Sequence, residues 1–118
     1  MSGKPGLVIT GQAVSGKAGE MLAPELNAYM DNIAKGVRYE GMVYLQTSDG
    51  QYCDRKLSGN PGTMGCNYSE EGVDFNWRSL IIKEPGSYRL QIGIVAMDIG
   101  KAETKRVAAK MTDVIQIS

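Results

Sequence analysis

The amino-acid sequence predicts an all-β fold, a sandwich of about seven short strands. The clearest observation is the segment from Ser87 to Met97, which alternates with the period of two that defines a β-strand. One face carries Tyr88, Leu90, Ile92, Ile94 and Ala96, and the other carries Arg89, Gln91, Gly93, Val95 and Met97. The second observation is that short apolar segments separated by Gly, Pro, Asn and Asp continue along the chain.

Seven segments are predicted as strands: Leu7–Gln12, Leu26–Met30, Val37–Thr47, Gln51–Lys56, Asp74–Ile82, Ser87–Asp98 and Lys105–Ile117. Two turns connect neighbouring strands. Ser48-Asp49-Gly50 is predicted as a hairpin turn, because aspartate supplies side-chain hydrogen bonds and glycine tolerates positive φ. Glu84-Pro85-Gly86 is predicted as a tight turn, because proline fixes φ.

The C-terminal region is the one place where a helix competes with a strand. Alanines and lysines give Ala102–Thr112 good helix propensity. Val114, Ile115 and Ile117 favour a terminal strand. One alternative is therefore a short helical turn that leads into the last strand.

Length and charge indicate one soluble domain over residues 1–118. Thirteen basic and thirteen acidic residues cancel, so no overall field attracts nucleic acid or anionic lipid. No apolar run approaches the roughly 20 residues that span a bilayer. The opening segment MSGKPGLVITGQ lacks the apolar core of a secretory signal. We expect no membrane partner and no export signal.

The two cysteines, Cys53 and Cys66, flank a polar loop rich in Gly, Asn and Pro. They are either reduced thiols or a disulfide that staples this loop in an oxidising compartment. The sequon Asn67-Tyr68-Ser69 has meaning only in the secretory pathway. Because the chain has no histidine and two cysteines, it is not expected to build a tetrahedral zinc site, and we predict no cofactor.

After the predicted strand LVIT, the segment from Gly11 to Ala18 nearly matches the sequence pattern of a phosphate-binding loop. Ala18 replaces the hydroxyl that would hold Mg²⁺, and Gly19 and Pro24 leave room for about one helical turn behind the loop. We therefore predict a Gly-rich loop between strands and no nucleotide partner.

The sequence offers few candidates for catalysis. Without histidine there is no Ser-His or Cys-His dyad. The carboxylate pairs Glu70-Glu71 and Asp49 with Asp54 fall in turn-like segments, where solvated carboxylates are poor general acids. We predict that the chain is not an enzyme.

Basic residues cluster near the C-terminus, at Lys101, Lys105, Arg106 and Lys110. On a helix they would lie close enough to bind a few phosphates, and on a strand they would divide between two faces. The alternative is a solvated surface. Trp77 and Tyr88 are predicted as core residues and not as a base-stacking platform.

The order of residues in the central block resembles the velvet domain of fungal developmental regulators. The block comprises LSGN from Leu57, then Cys66, Gly72 and VDFNWRSLIIKEPGSYRLQIGI. Phe75, Trp77, Leu80, Ile82, Lys83, Gly86, Tyr88, Arg89 and Leu90 match the family's aromatic strand and its Gly-x-Tyr-Arg-Leu strand. VYLQTSDG, the N-terminal segment and RVAAKMTDVIQIS resemble flanking parts of the family.

The resemblance implies an immunoglobulin-like sandwich related in shape to the Rel family. It also implies transcriptional control of development and secondary metabolism by homo- or heterodimers in nucleus and cytoplasm. By this resemblance, duplex DNA would contact Lys17, Lys105, Arg106 and Lys110. The alternative is a non-catalytic immunoglobulin-like module, secreted or at a surface, that binds a protein through its loops and carries a Cys53–Cys66 disulfide.

Overall fold

The computed structural model describes residues 5–98 and 100–118, and over these residues the chain forms strands joined by turns. The strands are β1 (Leu7–Gly11), β2 (Ser15–Gly16), β3 (Leu26–Asp31), β4 (Val37–Thr47), β5 (Leu57–Ser58), β6 (Gly62–Met64), β7 (Gly72–Trp77), β8 (Ile81–Ile82), β9 (Gly86–Asp98), β10 (Glu103–Met111) and β11 (Ile115–Ile117). One turn of 3-10 helix covers Asp54–Lys56.

The strands form two main layers, which confirms the predicted all-β sandwich. The smaller sheet has the order β1-β3-β7. The larger sheet has the order β2-β11-β9-β4-β6, and β10 also pairs with β9. A short third ladder joins β5 to β8. The described residues contain no helix long and apolar enough to cross a membrane.

The antiparallel pair of β4 and β9 is the frame of the larger sheet. It runs in unbroken register from Val37 opposite Asp98 to Thr47 opposite Tyr88. The predicted alternation in β9 is confirmed, because Tyr88, Leu90, Ile92 and Ile94 point inward and are buried. The inward side chains of both sheets form one core that includes Leu26, Met30, Tyr39, Val43, Leu45, Phe75, Trp77, Leu80, Ile82 and Ile115. Burial of this apolar surface is the main force that holds the layers together.

The sandwich is closed along one side and open along the other. On the closed side, β6 pairs with β4, and Cys66 then exchanges two backbone hydrogen bonds with Asp74 of β7 (2.8 and 2.9 Å). On the open side, the edge strands β1 and β10 flank a groove of about 540 Å³. The larger sheet therefore continues into the smaller one along a single side.

Tyr88 fixes the turn that precedes β9. Its hydroxyl donates to the carbonyl oxygens of Glu84 (3.0 Å) and Pro85 (3.2 Å). A tyrosine at the start of a strand that bonds back to the preceding corner is a feature of immunoglobulin-type sandwiches. The chain bends at Glu84, within the predicted Glu84-Pro85-Gly86 turn, but the strands before and after the bend, β8 and β9, lie in different sheets, so the segment does not join two strands of one sheet. Both Tyr88 and Trp77 are core residues as expected.

Two predicted strands are wrong in part. Gln51–Lys56 is not a strand: Tyr52 makes an isolated bridge to Gln46, and a 3-10 turn follows at Asp54. The cause is the Asp54 carboxylate, which accepts the backbone N–H of Leu45 at 2.7 Å and pulls the chain into a turn. The predicted strand Asp74–Ile82 breaks after Trp77 and resumes as β8, which pairs with Leu57–Ser58.

A helical turn was one prediction for the C-terminal region. That prediction is wrong, because the region forms strands. Residues 103–111 form β10, which pairs with β9 along its length. Thr112 then interrupts the ladder: its hydroxyl oxygen accepts the N–H of Leu90 at 3.0 Å, and its own N–H donates to the Leu90 carbonyl at 2.9 Å. Pairing with the long strand β9 outweighs the helix propensity of the alanines and lysines.

Candidate interaction surface

The larger sheet has a solvent-facing side, called here the outer face, that is formed by β6, β4, β9 and β10. Alternation turns the even-numbered residues of β4 and the odd-numbered residues of β9 to this side. The outer face comprises Arg38, Glu40, Met42, Tyr44, Gln46, Met64, Arg89, Gln91, Gly93, Val95, Met97, Thr104, Arg106, Ala109 and Met111. Outward positions of an antiparallel sheet are ordinarily polar, so its apolar members stand out.

The apolar side chains gather in the middle of the outer face. Met42 lies opposite Gly93, and Gly93 lies opposite Ala109, so the central row is apolar across three strands. The neighbouring row places Tyr44 beside Gln91, with Met111 on the far side of Gln91. Met42, Met64, Met97 and Met111 all lie on this face, out of seven methionines in the chain.

Arg106 lies flat across the centre of the outer face. A Cβ at Gly93 would stand 3.0 Å from Nη2 of Arg106 and 3.1 Å from its Cζ, so the missing side chain makes room for the guanidinium. The Cζ of Arg106 lies 5.8 Å from the centroid of the Tyr44 ring, within the range of a cation–π contact. The glycine and the tyrosine together position this arginine on the sheet.

Polar groups surround the apolar centre. Gln91 Oε1 accepts hydrogen bonds from Gln46 Nε2 (3.2 Å) and from the Tyr52 hydroxyl (2.6 Å). The Nε of Arg89 is buried and has no hydrogen-bond partner. Within residues 5–98 and 100–118, one ion pair is found, between Lys56 and Glu84 (3.3 Å), so neither Glu40 nor Arg106 forms an ion pair there. An apolar centre inside a polar rim is the anatomy of a protein interface.

The structure brings together two of the four predicted DNA-contacting residues. A β-bulge at Val107 shifts the register of β10, so Lys105 lies opposite Ala96 and Lys110 opposite Ile92. Both lysines therefore point to the same side of β10, about 13 Å apart by strand geometry. Arg106 points to the opposite side, onto the outer face.

Lys17 lies far from the lysines of β10. It follows β2, whose Gly16 pairs with Ile117, and Ile117 in turn pairs with Gly86 at the start of β9. Lys110 lies opposite Ile92, about 20 Å further along β9 by strand geometry. The four residues of the predicted DNA site therefore do not form one patch.

The Cys53–Cys66 disulfide is not formed, and both residues are free thiols. The backbone N–H of Cys53 donates to the carbonyl oxygen of Leu45. The N–H of Gly65, the residue before Cys66, donates to the carbonyl oxygen of Tyr39. Leu45 and Tyr39 lie about 20 Å apart along β4, and a disulfide needs Cα atoms within about 7 Å. Burial raises the pKa of the Cys53 thiol, a shift that nearby Lys56 opposes.

The candidate carboxylates serve turns. Asp49 accepts a short hydrogen bond from the hydroxyl of Thr47, and Asp54 accepts the N–H of Leu45. Glu70 and Glu71 are exposed in the turn before β7. In the part of the chain that the structure describes, no group of three or more Cys, Asp or Glu side chains is placed to hold a metal ion.

Sequence reasoning missed the outer face, although its signal is present in the sequence. Met42 and Tyr44 occupy alternate positions of β4, and Val95 and Met97 occupy alternate positions of β9. The pairing of β4 with β9 unites these residues into one surface.

No protein-family model matches the chain, and no curated protein matches it. Among solved structures, the chain is similar to the CooA pilin subunit from enterotoxigenic Escherichia coli, with a TM-score of 0.40 and 8% sequence identity over 98% of this chain and 99% of that chain.

Proposed function

We propose that this chain is a non-catalytic binding domain that associates with protein through the outer face of its larger sheet. The observation that carries the proposal is the group of apolar side chains on that face, where half-buried Met42 and Tyr44 and exposed Met111 lie around the Arg106 guanidinium, inside a polar rim. Methionine, tyrosine and arginine are enriched at protein interfaces. Methionine also adapts its shape to a partner because its side chain is unbranched and flexible.

The edges of the sandwich are poorer sites for association than the outer face. The bulge at Val107 and the residues Lys105, Arg106 and Lys110 lie on the edge strand β10. β1, the edge strand of the smaller sheet across the groove from β10, also has a register shift, between Ile9 and Gly11. Bulges and lysines on edge strands hinder pairing with another strand. The support for a protein-binding role therefore comes from the outer face and not from the edge strands.

A velvet-like regulatory role is a second candidate, in which the domain acts as a dimer and binds duplex DNA. The residue order of the block VDFNWRSLIIKEPGSYRLQIGI motivates it. The bulge in β10 favours it as well, because Lys105 and Lys110 share one side of that strand. Two lysines would neutralise about two phosphates and give a correspondingly shallow salt dependence.

The protein-binding proposal is tested by an experiment in which the domain captures proteins from an extract of the producing cells. The wild-type domain is compared with Met42→Lys, which places a charge in the centre of the outer face. The matched control is Met21→Lys, because Met21 is 62% exposed and lies off this face. We expect wild type and the Met21 variant to retain the same proteins and the Met42 variant to lose them. Equal capture by all three would refute the proposal.

Fluorescence anisotropy on a labelled duplex tests the DNA candidate. We expect binding at low salt, with a slope of log affinity against log salt of about −2. The double substitution Lys105→Gln with Lys110→Gln should abolish binding, whereas Arg106→Gln should preserve it. Absence of binding at low salt, or binding that survives the double substitution, would eliminate this candidate.

A further inference from the structure

The outer face carries an excess of positive charge. Three of the five arginines in the chain, Arg38, Arg89 and Arg106, lie on it, together with one acidic residue, Glu40. None of these four side chains forms an ion pair among residues 5–98 and 100–118. Because the whole chain is neutral, the excess is a property of this face and not of the domain. A partner that complements the face therefore carries anionic groups.

Arg106 presents a positioned guanidinium at the centre of the outer face. The group lies over Gly93, and its Cζ is 5.8 Å from the centroid of the Tyr44 ring. A guanidinium is planar and carries five N–H donors, a geometry that fits a carboxylate through two parallel hydrogen bonds. Because Arg106 is already held on the sheet, less conformational freedom is lost when a carboxylate binds it.

Arg89 is a second cation on the outer face whose charge is not compensated. Its Nε is shielded from solvent and has no hydrogen-bond partner in the described part of the chain. A buried donor without a partner is unfavourable, and a carboxylate placed against the same guanidinium offsets that cost. Arg89 and Gly93 are four residues apart on β9, about 13 Å by strand geometry. Two carboxylates four residues apart on an extended segment have the same spacing and point to the same side.

The size of the outer face suits a segment of chain better than a second folded domain. Arg38 to Gln46 on β4 spans about 30 Å, and β4, β9 and β10 at about 4.8 Å spacing are about 14 Å wide. The resulting area of about 430 Å² is about half of the 800 Å² that each partner of a standard interface buries. An extended segment of about nine residues spans this length.

The apolar side chains of the outer face favour a peptide over a nucleic acid. Met42, Val95 and Met111 lie among the arginines, and a phosphate backbone offers them no apolar surface. Glu40 repels phosphates from the same face. A protein segment supplies both carboxylates for the arginines and apolar side chains for the methionines.

We propose that the outer face binds an acidic segment of another protein, in which carboxylates bind Arg89 and Arg106 and apolar side chains contact the methionines. This inference rests on the proposed protein-binding function and names the chemistry of the partner.

Selection from a displayed library of random peptides tests this inference, with the purified domain as the immobilised bait. We expect the retained peptides to be enriched in Asp and Glu together with apolar residues. The double variant Arg89→Gln with Arg106→Gln should lose the acidic enrichment. The matched control is Lys35→Gln with Lys83→Gln, which removes the same charge from exposed positions outside the strands and should keep the enrichment.

Titration of the most enriched peptide, made synthetically, gives the size of the effect. We expect the double arginine variant to raise the Kd at least about tenfold, because two charge-assisted contacts are lost. Added salt should weaken wild-type binding because it screens exposed charges. Urea unfolding of Arg89→Gln should give a midpoint no lower than that of wild type, because no hydrogen bond is removed, so lost binding would not reflect lost folding.

The outcomes separate this inference from the protein-binding proposal. Enrichment of neutral or basic peptides that Met42→Lys abolishes would overturn the acidic partner and leave the binding face in place. Peptides retained equally by wild type and Met42→Lys would count against the face itself. A random single-stranded oligonucleotide that binds wild type but not the double arginine variant would assign the arginines to nucleic acid. The inference also fails if no peptide is enriched, and the capture experiment would still decide whether the face binds a folded protein.

Discussion

The guanidinium of Arg106 lies over the ring of Tyr44, with its Cζ 5.8 Å from the ring centroid, in the space that Gly93 leaves open. The three residues come from three adjacent strands, β10, β4 and β9. This contact holds a long cationic side chain flat on the sheet. A partner that contacts the centre of the outer face therefore meets the guanidinium over Gly93 together with the apolar side chains around it.

Gly93→Ala should lift Arg106 away from Tyr44. The added Cβ would stand 3.0 Å from Nη2, and the flexible arginine will move before the backbone does. An exposed cation–π contact contributes about 0.5 to 1 kcal/mol, so the loss of stability should be no larger. In NMR spectra, the ring-current shift of the Arg106 side-chain protons should disappear in this variant and in Tyr44→Leu. A shift that persists in both would contradict the contact.

Tyr88→Phe should destabilise the sandwich by about 1 to 2 kcal/mol. The variant keeps the buried ring but removes the hydroxyl that donates to the carbonyls of Glu84 and Pro85. Urea unfolding measures the change. Tyr52→Phe is the control, because Tyr52 is 62% exposed and its hydroxyl has water as a ready substitute partner. Equal midpoints for Tyr88→Phe and wild type would show that the corner does not depend on these bonds.

Thr112→Val should cost about 1 to 3 kcal/mol of unfolding free energy. Thr112 is 2% exposed, and the substitution removes the oxygen that accepts the N–H of Leu90, which leaves a buried donor without a partner. The matched control is Thr104→Val, at an exposed position of β10. Thermal unfolding should separate the two variants, with the Thr104 variant close to wild type. The explanation of the break between β10 and β11 fails if both behave alike.

The two thiols should react at different rates, and the rate of Cys53 should reflect its raised pKa. Cys66 is exposed, whereas Cys53 is half-buried and its pKa is raised by burial. Alkylation followed by mass spectrometry should find both thiols free, with Cys53 slower and its rate rising at higher pH. Because the folded pKa is raised, the protonated thiol favours the folded state, and this contribution is lost as the pH rises through the folded pKa. Recovery of a Cys53–Cys66 disulfide from native protein would contradict the structure.

The long central strands were predictable because local signals agree there. Val37–Thr47 alternates and ends at the Ser48-Asp49-Gly50 turn, and its predicted bounds match β4. Ser87–Asp98 alternates after a proline-glycine turn, and β9 begins one residue earlier. Where periodicity and turn chemistry point to the same element, sequence is sufficient.

The remaining elements depend on contacts that are distant in sequence. The turn at Asp54 exists because its carboxylate reaches Leu45, and the break at Thr112 exists because its hydroxyl reaches Leu90. The division of the basic residues depends on a bulge at Val107 that no local pattern marks. The outer face could not be predicted because it depends on the pairing of β4 with β9. In the sequence alone, its residues are separate positions that do not form one surface.

Oxidative footprinting of methionines tests most directly whether the outer face is where this domain binds protein. Dilute purified protein is compared with protein in an extract of the producing cells, and the oxidation rate of each methionine is measured by mass spectrometry. We expect Met42, Met64, Met97 and Met111 to be protected in the extract, while Met21, which is 62% exposed and off this face, reacts at an unchanged rate. Unchanged rates at all four outer-face methionines would contradict the proposed binding surface.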